Sequence, residues 1–433
     1  MNRETEKMKE VYERVLLVGA DCGTDGEEFE RSMKEMEHLA RACFMEPVGM
    51  ITQRMENINK GLYIGPGKVE EVKEAALALE AELVIFDGSL TPSQLRNLQK
   101  ELEKPVMDRT ALILDIFEKR ARTREARLQV ESAKLKYLLP RLVGMHGAMT
   151  RQGGTSGSMS SRGAGEKKIE LDRRRIEHRI AELSRELKAV SRERRVQRKR
   201  REDNRIPLVA LVGYTNAGKS TIMNAMLDAY MKKEEKKVLE KDMLFATLDT
   251  TVRRINTGNN RDFLLSDTVG FIHKLPHDLV EAFHSTLEEV ESADLLLLVV
   301  DYADSGYREQ IKTTKETLQK LNIGEIPVIT VYNKSDKSDE ITVYPKRTGE
   351  DRIYISAKDE ASLQMLTEMI VQCVYEDYVP AQFLLPYSEG GLISYFSENA
   401  HVFERDYEEE GILMKVKCHK ADKDKYAGYL RNT

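Results

Sequence analysis

The stretch Leu208–Thr221, LVALVGYTNAGKST, constrains the fold more than any other part of the chain. An apolar run, Leu208–Val212, reads as a strand. A loop of the form G-x-x-x-x-G-K-S follows, and a helical pattern with Ile222, Met223, Ala225, Met226 and Leu227 comes next. Strand, glycine loop and helix in this order form a phosphate cradle. Gly213 and Gly218 permit backbone geometry that turns amide N–H groups toward phosphate oxygens. The helix adds the positive end of its dipole. Lys219 brings a point charge for β and γ phosphates, and Ser220 offers a hydroxyl to Mg²⁺. Gly213, Tyr214, Thr215, Asn216, Ala217, Gly218, Lys219 and Ser220 are therefore the expected phosphate-binding residues. An ordinary glycine turn before a helix is the competing reading, and the flanking strand and helix weigh against it.

The loop alone does not separate ATP from GTP. Further motifs do. Asp267-Thr268-Val269-Gly270 follows an apolar strand; its Asp can hold Mg²⁺ through water and its Gly amide can meet a γ-phosphate. Phe245-Ala246-Thr247-Leu248-Asp249 lies between, in the position of a switch. Thr247 is the first choice for a second Mg²⁺ hydroxyl, with Thr250 and Thr251 as rivals. Asn333-Lys334-Ser335-Asp336 follows the strand Val328–Val331. An ionised carboxylate at Asp336 only accepts, which suits the adjacent N1–H and 2-amino donors of guanine. Adenine lacks both donors there and would leave the carboxylate unpaired. Ser356-Ala357-Lys358 completes the base pocket after another strand. Each motif alone arises by chance; their order and their repeated placement after strands do not.

The position after D-x-x-G, where many GTPases place a water-orienting Gln, is Phe271, which cannot polarise water. No catalytic residue is assigned. His273, Lys274 and His277 are nearby candidates, each with an ordinary surface role as the alternative. Slow intrinsic hydrolysis, raised by a partner that orders 271–289, is the expectation.

The rest of the chain is organised around this domain. The length of 433 residues suggests about three domains. Residues 12–120 alternate apolar runs with helical patterns, which implies a parallel sheet covered by helices. The runs fall at Val15–Val18, around Pro47–Thr52, at Leu83–Phe86 and at Leu112–Leu114. Gly61–Lys68 is glycine-rich, and a turn before a helix and a binding loop are equally open there. Leu128, Leu135, Leu138 and Leu142 form a helical seam. Ile169, Ile176, Ile180, Leu183, Leu187 and Val190 form a second one, coiled-coil-like. Two such helices should pack as an antiparallel hairpin, joined by a Gly-, Ser- and Met-rich loop from Gly144 to Gly165. The expected segments are 1–120, an α/β subdomain; 121–204, the hairpin; 205–378, the nucleotide domain; and 379–433, a small α+β unit. Within that last unit Gly391–Ser397 reads as helix, and Val402–Asp406 and Ile412–Lys417 as strands.

Charge is distributed unevenly. The whole chain carries a formal net charge of −5. Residues 166–202 hold 15 Lys and Arg against 8 Asp and Glu, a local net of +7. Such an arm suits a nucleic-acid backbone, with a solvated helix face as the even alternative. No apolar run is long enough to span a bilayer, and the charged N-terminus lacks a signal region. A peripheral membrane role has no amphipathic anchor to support it. The four cysteines lie far apart without metal or disulfide spacing, so a reducing cytoplasm is expected.

The chain resembles the HflX family of bacterial GTPases over almost its full length. The resemblance rests on FATLD at 245–249, DTVGFI at 267–272 and LPHDLVEAFHSTLEE at 275–289. YIGPGKVEEV at 63–72, DRTALILDIFEKRA at 108–121 and RGAGEKKIELDRRRI at 162–176 add to it. It implies an α/β fold with a Ras-like P-loop GTPase domain, preceded by an α/β part with a helical hairpin and followed by a small domain. It further implies an Mg²⁺-dependent GTPase that binds the large (50S) ribosomal subunit and its rRNA and splits stalled ribosomes. Some family members also hydrolyse ATP. In that picture Arg162, Arg194, Arg195, Arg198 and Lys199 of the arm contact RNA, and the protein acts as a cytoplasmic monomer. The Gly-rich loop departs from the family pattern at Met159–Glu166, Thr250 stands where Pro is common, and His273 and His284 stand where Arg is common.

Overall fold

The computed structural model of the chain describes residues 13–23, 26–142, 160–203, 206–230, 251–258, 261–273, 289–320, 323, 326–338 and 343–431. In the long helix it describes the side chains of 170–193. The chain divides into two compact units. One is formed mainly by residues up to Ser191 and takes in His273. The other is formed mainly by residues from Arg192 onward.

The first unit is built on four parallel strands, β1 (Glu13–Asp21), β2 (Met45–Arg54), β3 (Leu83–Phe86) and β4 (Val106–Asp108), in the order β2-β1-β3-β4. Helices α1 (Gly26–Ala42), α2 (Pro66–Ala78) and α3 (Pro92–Leu102) connect them, as the alternating pattern predicts. Local chemistry sets the boundaries. Thr91 and Gln94 form a reciprocal capping box at α3, with Pro92 in the first helical turn. Gly65 and Pro66 open α2, and the Gly65 amide donates to Gln53 Oε1 at 2.8 Å. Within Gly61–Lys68, residues 61–65 form the turn and Pro66–Lys68 begin the helix.

One expectation changes here. Leu112–Leu114 is not a strand but the interior of α4 (Arg109–Arg120); the fourth strand is the short Val106–Asp108 before it. Asp108 ends that strand and caps the helix, accepting from the Ala111 amide at 2.8 Å. The apolar run misleads because α4 is buried on more than one side, with Leu112, Ile113, Leu114, Ile116 and Phe117 all inside.

The hairpin pairs α5 (Arg124–Leu138) with the long α6 (Ser160–Asp203). Arg124 meets Glu186 at 2.9 Å and Arg179 meets Glu131 at 2.8 Å, a register that runs antiparallel. On α6 Leu183 is fully buried, while Ile176, Ile180, Leu187 and Val190 are half-buried. On α5 the predicted seam is only partly realised. Leu128 is buried with Ala126, Val130 and Ala133, but Leu138 is 37% exposed. Pro140 explains the change: it lies within the 3₁₀ turn Leu139–Arg141, which ends the helix. Tyr137 anchors that end instead, donating to Asp108 Oδ1 at 2.8 Å beneath the Arg141 guanidinium.

The second unit holds a seven-stranded sheet. Its strands are β5 (Leu208–Gly213), β6 (Thr251–Ile255), β7 (Phe263–Asp267), β8 (Leu295–Asp301), β9 (Val328–Asn333), β10 (Lys346–Arg347) and β11 (Arg352–Tyr354). Their order is β10-β11-β9-β8-β5-β7-β6. β6 and β7 form an antiparallel hairpin, and β10 is antiparallel at the other edge. Helices α7 (Lys219–Tyr230) and α9 (Glu360–Val374) pack over Val209, Leu211, Leu297, Val331 and Ile353 in one core. Helix α8 (Tyr307–Lys320) follows β8.

A three-stranded antiparallel sheet closes the chain: β12 (Tyr378–Leu385), β13 (His401–Glu408) and β14 (Gly411–His419), in the order β12-β14-β13. It is covered by α10 (Gly390–Asn399), with Phe383 and Phe396 stacked at 4.5 Å, and α11 (Lys420–Lys425) follows β14. β12 is not legible in the sequence because Pro380 interrupts it; at a sheet edge proline need not donate. Among the described residues no helix is long and apolar enough to cross a membrane.

The first unit buries a charge that its stability depends on. Arg109 is 1% exposed and pairs with Asp87 at 2.6 Å and with Glu35. Asp87 also accepts from Ser32 Oγ at 2.7 Å. Arg109→Met leaves Asp87 buried without its cation and should destabilise the unit by about 3–5 kcal/mol. Urea unfolding measures this. Asp87→Asn in the same background should recover part of the loss, and no recovery would show that charge pairing is not the cause.

Candidate nucleotide site

Four loops at the carboxyl ends of β5, β7, β9 and β11 meet in the second unit. The first is Gly213–Ser220. Gly213 has φ of 144°, and a Cβ there would lie 2.2 Å from the Val299 carbonyl oxygen. Gly218 has φ of 97°, and a Cβ there would lie 2.2 Å from Asn333 Nδ2. Both positions therefore require glycine. Asn216, at φ 62°, supplies the remaining left-handed turn.

Lys219, first residue of α7, is buried. Its Nζ donates to the carbonyls of Tyr214 at 2.8 Å and Gly213 at 3.1 Å. Burial pulls its pKa down to about 8, and the nearby Asp267 carboxylate opposes the shift only in part. Beside it, Ser220 Oγ donates to Asp267 Oδ2 at 2.6 Å. Asp267 ends β7 with no exposed surface. Thr268 Oγ1 donates to the Leu211 carbonyl at 2.6 Å, which ties this second loop to β5.

Val269 is buried, and Gly270 lies against the first loop: a Cβ there would meet Thr215 Cα at 2.7 Å and Lys219 Nζ at 2.9 Å. Phe271 is 3% exposed. Its amide donates to the Gly213 carbonyl at 3.1 Å, and its carbonyl accepts from the Thr215 amide at 2.8 Å. This backbone exchange between loops has no side-chain signature, so the sequence does not disclose it.

Asn333 joins the third loop to two others. Its Nδ2 donates to the Ala217 carbonyl at 3.0 Å, and its Oδ1 accepts from the Ala357 amide at 3.0 Å. Lys334, at φ 61°, reaches the Asn216 carbonyl at 2.8 Å and Asp301 at 2.7 Å. Asp301 is a contributor the sequence reading missed; its only sign is a carboxylate ending an otherwise apolar strand. Ser335 Oγ donates to the Tyr332 carbonyl at 3.0 Å, and the Ser335 amide donates to the Ile355 carbonyl at 3.1 Å. Asp336 stands exposed in the 3₁₀ turn Ser335–Lys337. In the fourth loop the Ser356 amide donates to Ser362 Oγ at 3.3 Å, and Ser356 Oγ accepts from the Lys358 amide at 3.4 Å.

Phe245–Asp249, Thr250, Lys274 and His277 lie outside the described residues, as do the side chains of Arg162, Arg194, Arg195, Arg198 and Lys199. His273 belongs to the first unit, where its Nε2 lies 3.3 Å from Glu28 Oε1. Cys418 and His419 are structural: the thiol is buried and pushed up to about 11 by burial, and His419 Nδ1 accepts from the Ala421 amide at the start of α11.

A glycine loop between strand and helix, a strand-end Asp beside the loop Ser, and the third and fourth loops define a P-loop GTPase. Family and sequence comparisons agree. The family described as GTP-binding GTPase N-terminal matches residues 30–118, GTP-binding GTPase Middle Region matches 120–201, and 50S ribosome-binding GTPase matches 208–334. The chain is 45% identical to GTPase HflX of Caldanaerobacter subterraneus, over 95% of this chain and 92% of that one. It is 38% identical to GTPase HflX of Escherichia coli, over 88% and 87%. A solved GTP-binding protein from Sulfolobus solfataricus, in complex with GDP, is 24% identical over 84% of this chain and 99% of that one, with a TM-score of 0.44. The chain belongs to the HflX family of GTPases.

The depressed Lys219 pKa couples folding of the nucleotide-free protein to pH. Between about pH 8 and the ordinary lysine value of 10.5, the unfolded chain holds more protons than the folded one. Stability of the nucleotide-free protein should therefore gain a contribution as pH rises through that window, about 3 kcal/mol in all. Below pH 8 the full penalty remains. Unfolding curves of the parent and Lys219→Met across this range isolate the contribution, which the variant should lack.

Proposed function

We propose that GTP is held by Gly213–Ser220, Phe245–Asp249, Asp267–Gly270, Asn333–Asp336 and Ser356–Lys358. The observation that carries this reading is the Asn333 bridge. One side chain ties the phosphate loop to both loops of the proposed base pocket, so phosphate grip and base recognition share one frame. Buried Lys219 favours the same reading, because a phosphate anion would restore the charge that burial disfavours.

Mg²⁺ fits the donor set. Ser220 Oγ and Asp267 Oδ2 are hard oxygens side by side, and Mg²⁺ selects such ligands. Ser220 and Thr247 would hold the ion, with Asp267 acting through water. When bound, the ion neutralises charge on the β and γ phosphates. The protein's own part is positional: Lys219 meets the β and γ phosphates, and the Gly270 amide meets the γ-phosphate.

Asp336 reads guanine through two acceptor oxygens. Asp336→Asn should lower GTP affinity by about tenfold or more and improve xanthosine triphosphate, since an amide donates where the carboxylate only accepted. Competition binding with both nucleotides measures the exchange. An unchanged preference for GTP would place the base reader elsewhere.

The large ribosomal subunit is the proposed partner, and splitting of intact ribosomes the proposed outcome. The family matched at 208–334 is described as ribosome-binding, and the arm at 166–202 carries +7, which suits an RNA backbone. Segments 1–120 and 121–204 would deliver the arm, 205–378 would read the nucleotide, and 379–433 would be an appendage. Slow intrinsic turnover follows from Phe271, which is buried and has no polar group for water. Incubation of intact ribosomes with the protein and a non-hydrolysable GTP analogue should yield separated subunits in a sucrose gradient, and ribosomes should raise GTP turnover. Comigration with intact ribosomes would instead favour a GTP-switched assembly or RNA-binding factor. Fast turnover without any partner would contradict the Phe271 argument.

A further inference from the structure

A parallel strand inside a sheet is buried on both faces when helices cover each. β9 departs from this although it lies between β8 and β11. Ile329, Val331 and Asn333 are buried, whereas Val328 is 38% exposed and Thr330 and Tyr332 are only half-buried. Its Ile329 and Val331 face packs into the core beneath α7 and α9. The opposite face is only partly covered: Tyr307, at the start of α8, lies 6.1 Å from the Tyr332 ring, while Val328 is exposed. Among the described residues no α-helix connects β9 to β11; the connection holds the 3₁₀ turn Ser335–Lys337 and the two-residue β10.

Strand register fixes what that face carries. Lys346 pairs with Tyr354, Tyr354 with Tyr332, and Arg352 with Thr330. Side chains alternate along each strand, so Lys346, Arg352, Tyr354, Val328, Thr330 and Tyr332 share one side. The buried Ile353 and Val331 share the other, as does Arg347, which bonds Gln372 of α9. The first six include two cations and no carboxylate.

The rings are organised. Tyr332 and Tyr354 stack at 4.6 Å and 13°, and Tyr302 meets them edge-on at 5.6 and 5.2 Å. Tyr307 adjoins Tyr302 at 5.3 Å, and the Arg308 guanidinium lies 5.7 Å from the Tyr307 ring. Asp351 lies 3.6 Å from Arg352 at the rim, but both side chains are more than half exposed, a pairing that water weakens.

We propose that this sheet face is an RNA contact separate from the helical arm, taking unpaired bases against the tyrosine cluster and phosphates on Lys346, Arg352 and Arg308. Of the six strand positions only Val328 is aliphatic; the rest are aromatic, hydroxyl-bearing or cationic. Aromatic rings on adjacent strands provide stacking surfaces for bases, and Lys346, Arg352 and Arg308 bring positive charge for a phosphate chain, with Asp351 beside Arg352 as an exposed and water-weakened partner. The face thus deepens the ribosomal reading above without relying on the arm.

The test uses the full chain with GDP bound and a fluorescent oligouridylate as probe, read by anisotropy across a salt series. Lys346→Glu combined with Arg352→Glu alters only exposed side chains. It should lower oligonucleotide affinity by about tenfold or more and flatten the salt dependence, while GDP affinity stays unchanged. Tyr354→Leu, which keeps apolar bulk but removes the ring, should lower affinity severalfold with the salt slope retained. Photocrosslinks from 4-thiouridine should map to Tyr302, Tyr307, Tyr332 or Tyr354. Unchanged affinity in both variants, or crosslinks confined to 166–202, would overturn the proposal. Crosslinking of this face to a protein of the large subunit instead of its RNA would overturn it as well and assign a protein partner. Ribosome splitting is read separately in the gradient, so failure there and failure here are distinguishable.

Discussion

Asn333 presents one donor and one acceptor to two backbone groups that belong to different loops, Ala217 and Ala357. Because the residue is 2% exposed, neither backbone partner has water to fall back on. The requirement propagates. Gly218 must lack a Cβ to admit the amide, Lys334 must adopt a left-handed conformation beside it, and Asp301 must receive the Lys334 ammonium. One buried amide thus joins three loops.

Lys219 is the complementary constraint. A buried ammonium is costly, and here two loop carbonyls and the Asp267 carboxylate offset only part of that cost. Gly270 lies against the same ammonium, so close that a methyl group at this position would press on it. Backbone exchange between Phe271 and the first loop holds these parts together. The first unit relies on buried charge in a different way: Arg109, the first residue of α4, is enclosed by Asp87, which follows β3, and Glu35 of α1.

The sequence makes some of this legible and conceals the rest for identifiable reasons. Apolar runs announce β1, β2, β3, β5, β7, β9 and β11, whereas β10 is Lys346–Arg347, without an apolar residue to announce it. Leu112–Leu114 misleads, since a helix buried on several sides loses the periodicity that distinguishes it from a strand. Leu138 misleads because Pro140, two residues on, ends the helix that would have placed it in the seam. Pro380 hides β12, as edge position is not visible in one dimension. Spacing alone marks Gly213, Gly218 and Lys219, because the chemistry of a phosphate cradle needs those residue types at that interval.

By itself the sequence determined that a strand, a phosphate-type loop and a helix follow one another, that guanine-type motifs recur after later strands, and that positive charge is gathered on one arm. It could do so because these features are set by local residue order. Tertiary structure alone decided that Asn333 spans three loops, that Asp301 holds Lys334, and that one face of β9 is lined by a tyrosine cluster. Those are properties of strand register and of how helices cover the sheet, and residues distant in sequence become neighbours only when the sheet forms.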